Sequence, residues 1–339
     1  MAAIVLVVLA AAANAAALVM LRKATEAEVS DPTFSLRVLW LLVRRRPLWA
    51  AGIAAQIVGA VLQVIALAHG ALSAVQLVIL IELPFTLIGA RLMLGSRLGA
   101  REWSAIAAMT GGLAIVVSTL SPTGGDPFSI GLLTWLIGLA ATVAAILGVL
   151  ALAQRRAPAA RTALFGVAAG LASGLTAVLA KAVAVSASGG ILALLTVWQS
   201  WALAGAGVAS FFLLHNALQA GRLAASQPGI TLANPTVAVA WGIGLFHEHI
   251  QTGWWLAGTA LGGALLVGGV VALSRSPLLD PEQQGSERDR APDRPNAEPT
   301  PRADLTEADD SSTERPARPD RTSPTATGAS NRREGGLVA

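Results

Sequence analysis

Residues 49–98 read WAAGIAAQIVGAVLQVIALAHGALSAVQLVILIELPFTLIGARLMLGSRL, and this stretch decides the fold. It contains two apolar runs, 49–68 and 71–92, separated by His69-Gly70. A helix needs about 20 apolar residues to cross the hydrocarbon core of a bilayer, and each run meets that length. The break between them is that of two packed neighbouring helices. Inside the second run stand one acid, Glu82, and one proline, Pro84.

Working outward, seven further runs have the same character: 3–21, 103–120, 129–152, 163–185, 190–214, 223–246 and 254–274. The first lacks a basic leader and precedes Arg22-Lys23, so it is expected to be retained as a span. The chain is 54% hydrophobic and 13% charged, with a mean hydropathy of +0.62. A soluble domain cannot hide that much apolar surface beneath a polar skin, whereas a bilayer protein can. The expected fold class is therefore an all-α polytopic membrane protein whose first partner is the lipid bilayer.

Loop charge sets a direction. With nine spans, one side receives 14 of the 15 basic residues of 1–275, and the other receives only Lys181. The positive-inside rule makes the basic side cytoplasmic, giving an N-out/C-in, multi-pass protein of the inner (plasma) membrane. The high pI thus reflects topology and does not point to nucleic acid. Cysteine is absent, so disulfides and thiolate metal sites are excluded.

Two segments lie outside the spans. In the loop 24–48, Asp31-Pro32 reads as a helix start, and Phe34–Val43 closed by Arg44-Arg45-Arg46 reads as an interfacial helix with Trp40 and Trp49 at headgroup level. Residues 276–339 carry 9 basic and 13 acidic residues and few large apolar ones. Such a composition cannot offset chain entropy by burial, so a disordered cytoplasmic tail is expected.

Residues 49–120 resemble residues 200–272 at an offset of 151–152. Ala66-Leu67 matches Ala217-Leu218, Gly70 matches Gly221, Gln76 matches Gln227 and Pro84 matches Pro235. Leu94-Gly-Ser-Arg-Leu98 faces Phe246-His-Glu-His-Ile250, and Trp103 faces Trp255. Repeat one (1–120) and repeat two (161–275) then hold four spans each, joined by the linking helix 129–152. An odd number of intervening helices turns the second unit upside down. This 4+1+4 inverted-topology arrangement is a sequence trace of an alternating-access transporter with a site near the midplane.

These same residues, with Trp49-Ala-Ala-Gly52 and Gly59, resemble the drug/metabolite transporter (DMT) superfamily, in its EamA-like and NIPA-like magnesium-transporter branches. The likeness covers most of 1–275 and none of the tail. It implies a secondary transporter of a small metabolite or cation. The family's Leu-Gly-Glu-Arg-Leu turn reads Leu94-Gly-Ser-Arg-Leu98 here, and Ala60 stands where NIPA-like members carry a glutamate. Magnesium transport accordingly ranks behind metabolite transport.

The polar residues inside the spans are the site candidates. Glu82 lies about 11 residues into the third span, at ~16 Å depth, where an acid is costly unless paired, hydrated or protonated. Lys181 shares a helical face with Gly166, Gly170, Ser173 and Ala177. Lys181 and Glu82 differ in depth by ~6–10 Å, roughly the reach of a lysine stem, so the two are expected to pair as the coupling residues. Gln56 and Gln63 share a face with Gly52 and Gly59, and Asn14, Gln76 and Asn234 complete the substrate-path candidates. Pro84 and Pro235 each remove a backbone donor near mid-span and are helix-break candidates. Packing between helices is the competing reading for the glutamines, Asn14 and both prolines.

His247-Glu248-His249 lacks the spacing of a helical zinc pair and reads as a degenerate turn, so no metal is expected. Gly258-x-x-x-Gly262 and Gly268-Gly269 read first as close-packing contacts, with a homodimer as their other use. No nucleophile–base pair or phosphate-binding glycine loop is present, so neither an enzyme nor a cofactor is expected. A membrane scaffold with a partner-binding tail is the rival from another functional class.

Overall fold

The break at Gly70 is where the architecture turns. Helix α2 (Pro47–His69) ends there, Ala71 is extended, and helix α3 (Leu72–Val78) begins at once. The computed structural model describes residues 2–26, 47–94, 98–219 and 223–274. The interfacial helix expected over 34–43, the 95–97 turn and the tail 276–339 lie outside the described residues.

After α3 comes a 3₁₀ turn, Ile79–Ile81, and then α4 (Glu82–Leu94). Pro84 is the third residue of α4, and its missing amide falls opposite the Leu80 carbonyl four residues earlier, within the 3₁₀ turn where the α-helical ladder is interrupted. The remaining elements are α1 (Ala2–Glu26), α5 (Ala100–Leu120), α6 (Leu132–Gln154), α7 (Pro158–Ser186), α8 (Gly190–Thr196), α9 (Trp198–Gln219), α10 (Leu223–Gly244) and α11 (Trp255–Ser274). Counting α3, its 3₁₀ turn and α4 as one rod, the described residues form nine long helical rods.

Seven of the rods are long and apolar enough to cross a membrane. The two outside that group, α9 and α10, are 22 residues each and more polar, with Gln199, His215 and Asn216 on one and Ser226, Gln227 and Asn234 on the other. Large apolar side chains point outward along the rods: Leu133 is 71% exposed, Leu147 60% and Leu261 60%. Such a belt is costly in water and free of cost in lipid. The protein is a polytopic helical membrane protein.

Helix α10 runs unbroken through Pro228 and Pro235. The seventh span starts later than its hydropathy indicates, at Trp198 rather than 190. Gly190 takes φ +84° after the 3₁₀ turn Ala187–Gly189, and Val197 is extended, so Gly190–Thr196 forms a separate short helix. Only glycine adopts that dihedral without strain, which fixes the break at Gly190.

Small residues set the helix seams. On α1–α2, Gly52 packs on Leu21 and Gly59 on Asn14. On α7–α10, Gly166 lies against the Ser226 backbone and Gly170 against Gly229 and Ala233. On α5–α11, Gly112 meets Gly262, and Gly269 meets the Ala105–Met109 turn. The glycines of Gly258-x-x-x-Gly262 thus pack within the chain.

One end of the bundle is bridged. Thr123 and His249 pair through their backbones, and Asp126 N–H donates to the Phe246 carbonyl. Beneath this lies an aromatic knot: the Trp135 ring is 5.4 Å from Trp198, 5.2 Å from Trp241 and 5.4 Å from Phe246. Trp135 Nε1 donates to the Pro127 carbonyl, so its one polar atom is satisfied. The opposite end carries Arg101, Arg155 and Arg156. These are called the bridged end and the arginine end below.

Candidate functional site

Glu82 stands at the junction between the 3₁₀ turn and α4, roughly half-way along its rod. Its carboxylate accepts a hydrogen bond from Asn14 Nδ2 on α1 at 3.4 Å, and Asn14 Oδ1 accepts one from Gln56 Nε2 on α2, also at 3.4 Å. Both contacts are long, near the limit of a hydrogen bond, so the carboxylate is only loosely held. The relay Gln56–Asn14–Glu82 ties three helices together at mid-bundle. It exists because Gly59 has no side chain: a Cβ there would overlap Asn14 Oδ1. Asn14 is 7% exposed, so the relay is a polar thread through an apolar interior. Gln63, two turns along α2 from Gln56, is half-buried and outside the thread.

Lys181 does not join this thread, which corrects the expected Glu82–Lys181 pair. Its ammonium donates to the carbonyls of Leu67 and Gly70, each at 2.7 Å, at the C-terminal end of α2. Those carbonyls have no intrahelical donor and carry the negative end of the helix dipole. Depth alone made Glu82 reachable, but the helix end lies nearer and already supplies two acceptors. Lys181 is 3% exposed.

The other side of the same turn is held by Glu248, from the connection between α10 and α11. One carboxylate oxygen accepts from Leu72 N–H, and the other accepts from Ser73 N–H at 3.2 Å, at the N-terminus of α3. A carboxylate suits the positive end of a helix dipole as the lysine suits the negative end. The Glu248 side chain fits between Gly125 and Gly242, where any Cβ would strike it, and Gly125 has φ +87°. Burial pushes the Glu248 carboxyl above the usual carboxylate range, and the Leu72 and Ser73 amides and the Lys181 charge draw it part of the way back. Lys181 and Glu248 thus bind the turn's backbone rather than each other. Lys181 also feels the negative charges of Glu248 and Asp126.

The chain is 32% identical over 238 residues to an uncharacterized protein of Corynebacterium glutamicum, an overlap covering 69% of this chain and 81% of that one. The chain belongs to that protein's family. No protein-family model matches it, and no solved structure does. Family membership therefore brings no named activity, and any function must be argued from the polar groups themselves.

Two further path candidates have buried polar atoms without a hydrogen-bond partner among the described residues: Gln76 Nε2 and Asn234 Oδ1. They lie on α3 and α10, which pack together. Neither atom is bonded to a protein group among the described residues, so each can bind water or a solute. Sequence reasoning brought Asn14, Gln56 and Glu82 forward separately, and the fold brings them together. It passed over Glu248 as part of a degenerate turn. The signal was present in the charge count, since Asp126 and Glu248 are the acids assigned to the side that holds Lys181 alone.

Proposed function

We propose that this chain is a secondary transporter that moves a small metabolite or cation across the bacterial inner membrane by alternating access, with Glu82 as the residue that binds the coupling proton or the substrate's charge. The observation that carries this reading is the placement of a loosely held carboxylate at mid-bundle, at a 3₁₀–α junction, on a polar thread spanning α1, α2 and α4. Intramembrane acids are expensive and are kept for ion and substrate pathways, and helix discontinuities beside them expose backbone groups to the path.

The reading includes the 4+1+4 inverted repeat and the likeness to the drug/metabolite transporter superfamily. Packing supports it: α1 contacts α2 and α4, α7 contacts α9 and α10 in the corresponding places, and α5 meets α11 where the two halves join. The N-out/C-in orientation places the arginine end in the cytoplasm. Reporter fusions after residues 100, 158 and 275 should then report cytoplasm, and those near 125, 188 and 251 the outside. A cytoplasmic signal at 188 would overturn the inverted repeat.

The function is tested by reconstituting the full chain in proteoliposomes, imposing a pH gradient and screening a panel of labelled metabolites, organic cations and Mg²⁺. Uptake of one class, dissipated with the gradient, is expected. Uptake of Mg²⁺ alone would replace metabolite transport with the magnesium reading, and no uptake of any class would sink the transporter.

A further inference from the structure

We infer that Lys181 and Glu248 form a gate: two charges of the second half clamp the α2–α3 turn of the first half and shut the transport path at the bridged end. This rests on the transporter reading and names the device that closes its path.

The geometry is specific. The turn at Gly70-Ala71 is held from both sides, its carbonyls by the ammonium and its amides by the carboxylate. Both clamping residues come from 161–275, and the clamped backbone comes from 1–120, so opening the clamp frees this turn of the first half from the second half. Gly70 also packs against Ala3 of α1, which carries any shift of the turn to the helix that presents Asn14.

The turn stands between two cavities. One, of about 410 Å³, is lined by His69, Gly70, Asp126 and Lys181. The other, of about 430 Å³, is lined by Ala3, Gly70, Ala74 and Gly124. One turn of α3 below the clamp lies Gln76, 1% exposed, whose Nε2 has no hydrogen-bond partner among the described residues. The Ser73 hydroxyl and the Glu248 carboxylate both approach Gly242 of α10, so the N-terminal end of α3 lies beside the C-terminal end of α10. The two helices therefore run in opposite senses, and Asn234 sits about 12 Å deeper than Gly242, near the level of Glu82. Gln76 and Asn234 thus mark a buried polar track from the clamp toward the carboxylate. Buried polar side chains on facing helices beneath the clamp, in an otherwise apolar interior, suit a path that the clamp closes.

The chain contains no cysteine, so single cysteines can be introduced without removing any. Gln76→Cys reports the space beneath the clamp, and Leu87→Cys, 4% exposed on α4, reports general loosening of the bundle. A membrane-impermeant thiol reagent should label Gln76→Cys slowly in the otherwise unaltered protein. Adding Glu248→Gln or Lys181→Met should raise that rate by about tenfold or more, the worth of one charged hydrogen bond, while Leu87→Cys keeps its rate. Lys181→Arg, which retains a cation at the helix end, should keep labelling slow. Unchanged labelling of Gln76→Cys in both clamp variants overturns the gate, as does an equal rise at Leu87→Cys, which would make the clamp a structural prop. Should the clamp variants fail to accumulate, hydrogen exchange at the Leu72 and Ser73 amides of the unmutated protein decides. The gate predicts faster exchange under an imposed pH gradient, and an unaltered rate overturns it. Labelling needs no substrate, so a failed transport screen and a failed gate are separate results.

Discussion

Glu82→Gln is expected to abolish gradient-driven uptake while leaving the protein as abundant and as stable as the wild type. The amide has the size and shape of the carboxyl, and its Oε1 can still accept the hydrogen bond from Asn14 Nδ2. The thread from Gln56 to α4 therefore survives, and with it the packing of α1 and α2 around Gly59. What the amide cannot do is gain and lose a proton or balance a cation. A charge in the bilayer interior is tolerated only where it is hydrated, paired or neutralised, so a residue there that alternates between these states couples an ion to a conformational change. The check is uptake by reconstituted variant and wild type at equal protein, across a range of imposed pH gradients. Wild-type rates with an unchanged pH dependence would mean that the carboxylate serves only to join helices, and the proposed coupling would be wrong. Partial uptake that no longer responds to pH would instead retain Glu82 as the coupling group and move substrate recognition elsewhere on the track.

The second large effect concerns the seam between α5 and α11. Gly112→Leu should cost about 3 kcal/mol or more and prevent the protein from accumulating in folded form, since overpacking a dense interface forces backbone movement. A Cβ at position 112 would lie 2.6 Å from both the Gly262 carbonyl oxygen and the Leu266 nitrogen. Both are backbone atoms, so no side chain can rotate away and the two helices must part. In lipid, where no hydrophobic effect drives helix association, close backbone packing is a main source of that association and its loss is felt directly. Gly111 provides the control. A Cβ there meets nothing within 4 Å, and Gly111→Ala should be neutral or slightly stabilising through helix propensity. Thermal unfolding of the detergent-purified variants measures the difference. A Gly112→Leu protein that melts with the wild type would show that this seam is not close-packed.

The residues that were legible in advance are those whose behaviour depends on near neighbours in the chain. The apolar runs, the break at Gly70 and the small-residue stripes on α2, α7 and α11 follow from hydropathy, periodicity and the absence of side chains, all local properties. Glu82 stood out for the same reason, because an acid eleven residues into a hydrophobic run is conspicuous whatever surrounds it. The seventh span was misplaced because Ile191–Leu195 is as apolar as a membrane segment. Only the φ of Gly190 and the extended Val197 separate it from α9.

By itself the sequence determined a polytopic helical membrane protein and a short set of polar residues within its spans. The tertiary structure alone decided which of those residues meet. A lysine stem reaches several ångströms in any direction, and from depth alone Glu82 was as good a partner for Lys181 as any other group. The deciding acceptors were backbone carbonyls of Leu67 and Gly70, which have no side-chain signature and become available only because α2 ends beside α7. Glu248 was hidden for the mirror-image reason: its partners are the amides of Leu72 and Ser73, 176 and 175 residues away in the chain. Helix ends become ligands only when folding places them, and no pattern of residues announces where that will be.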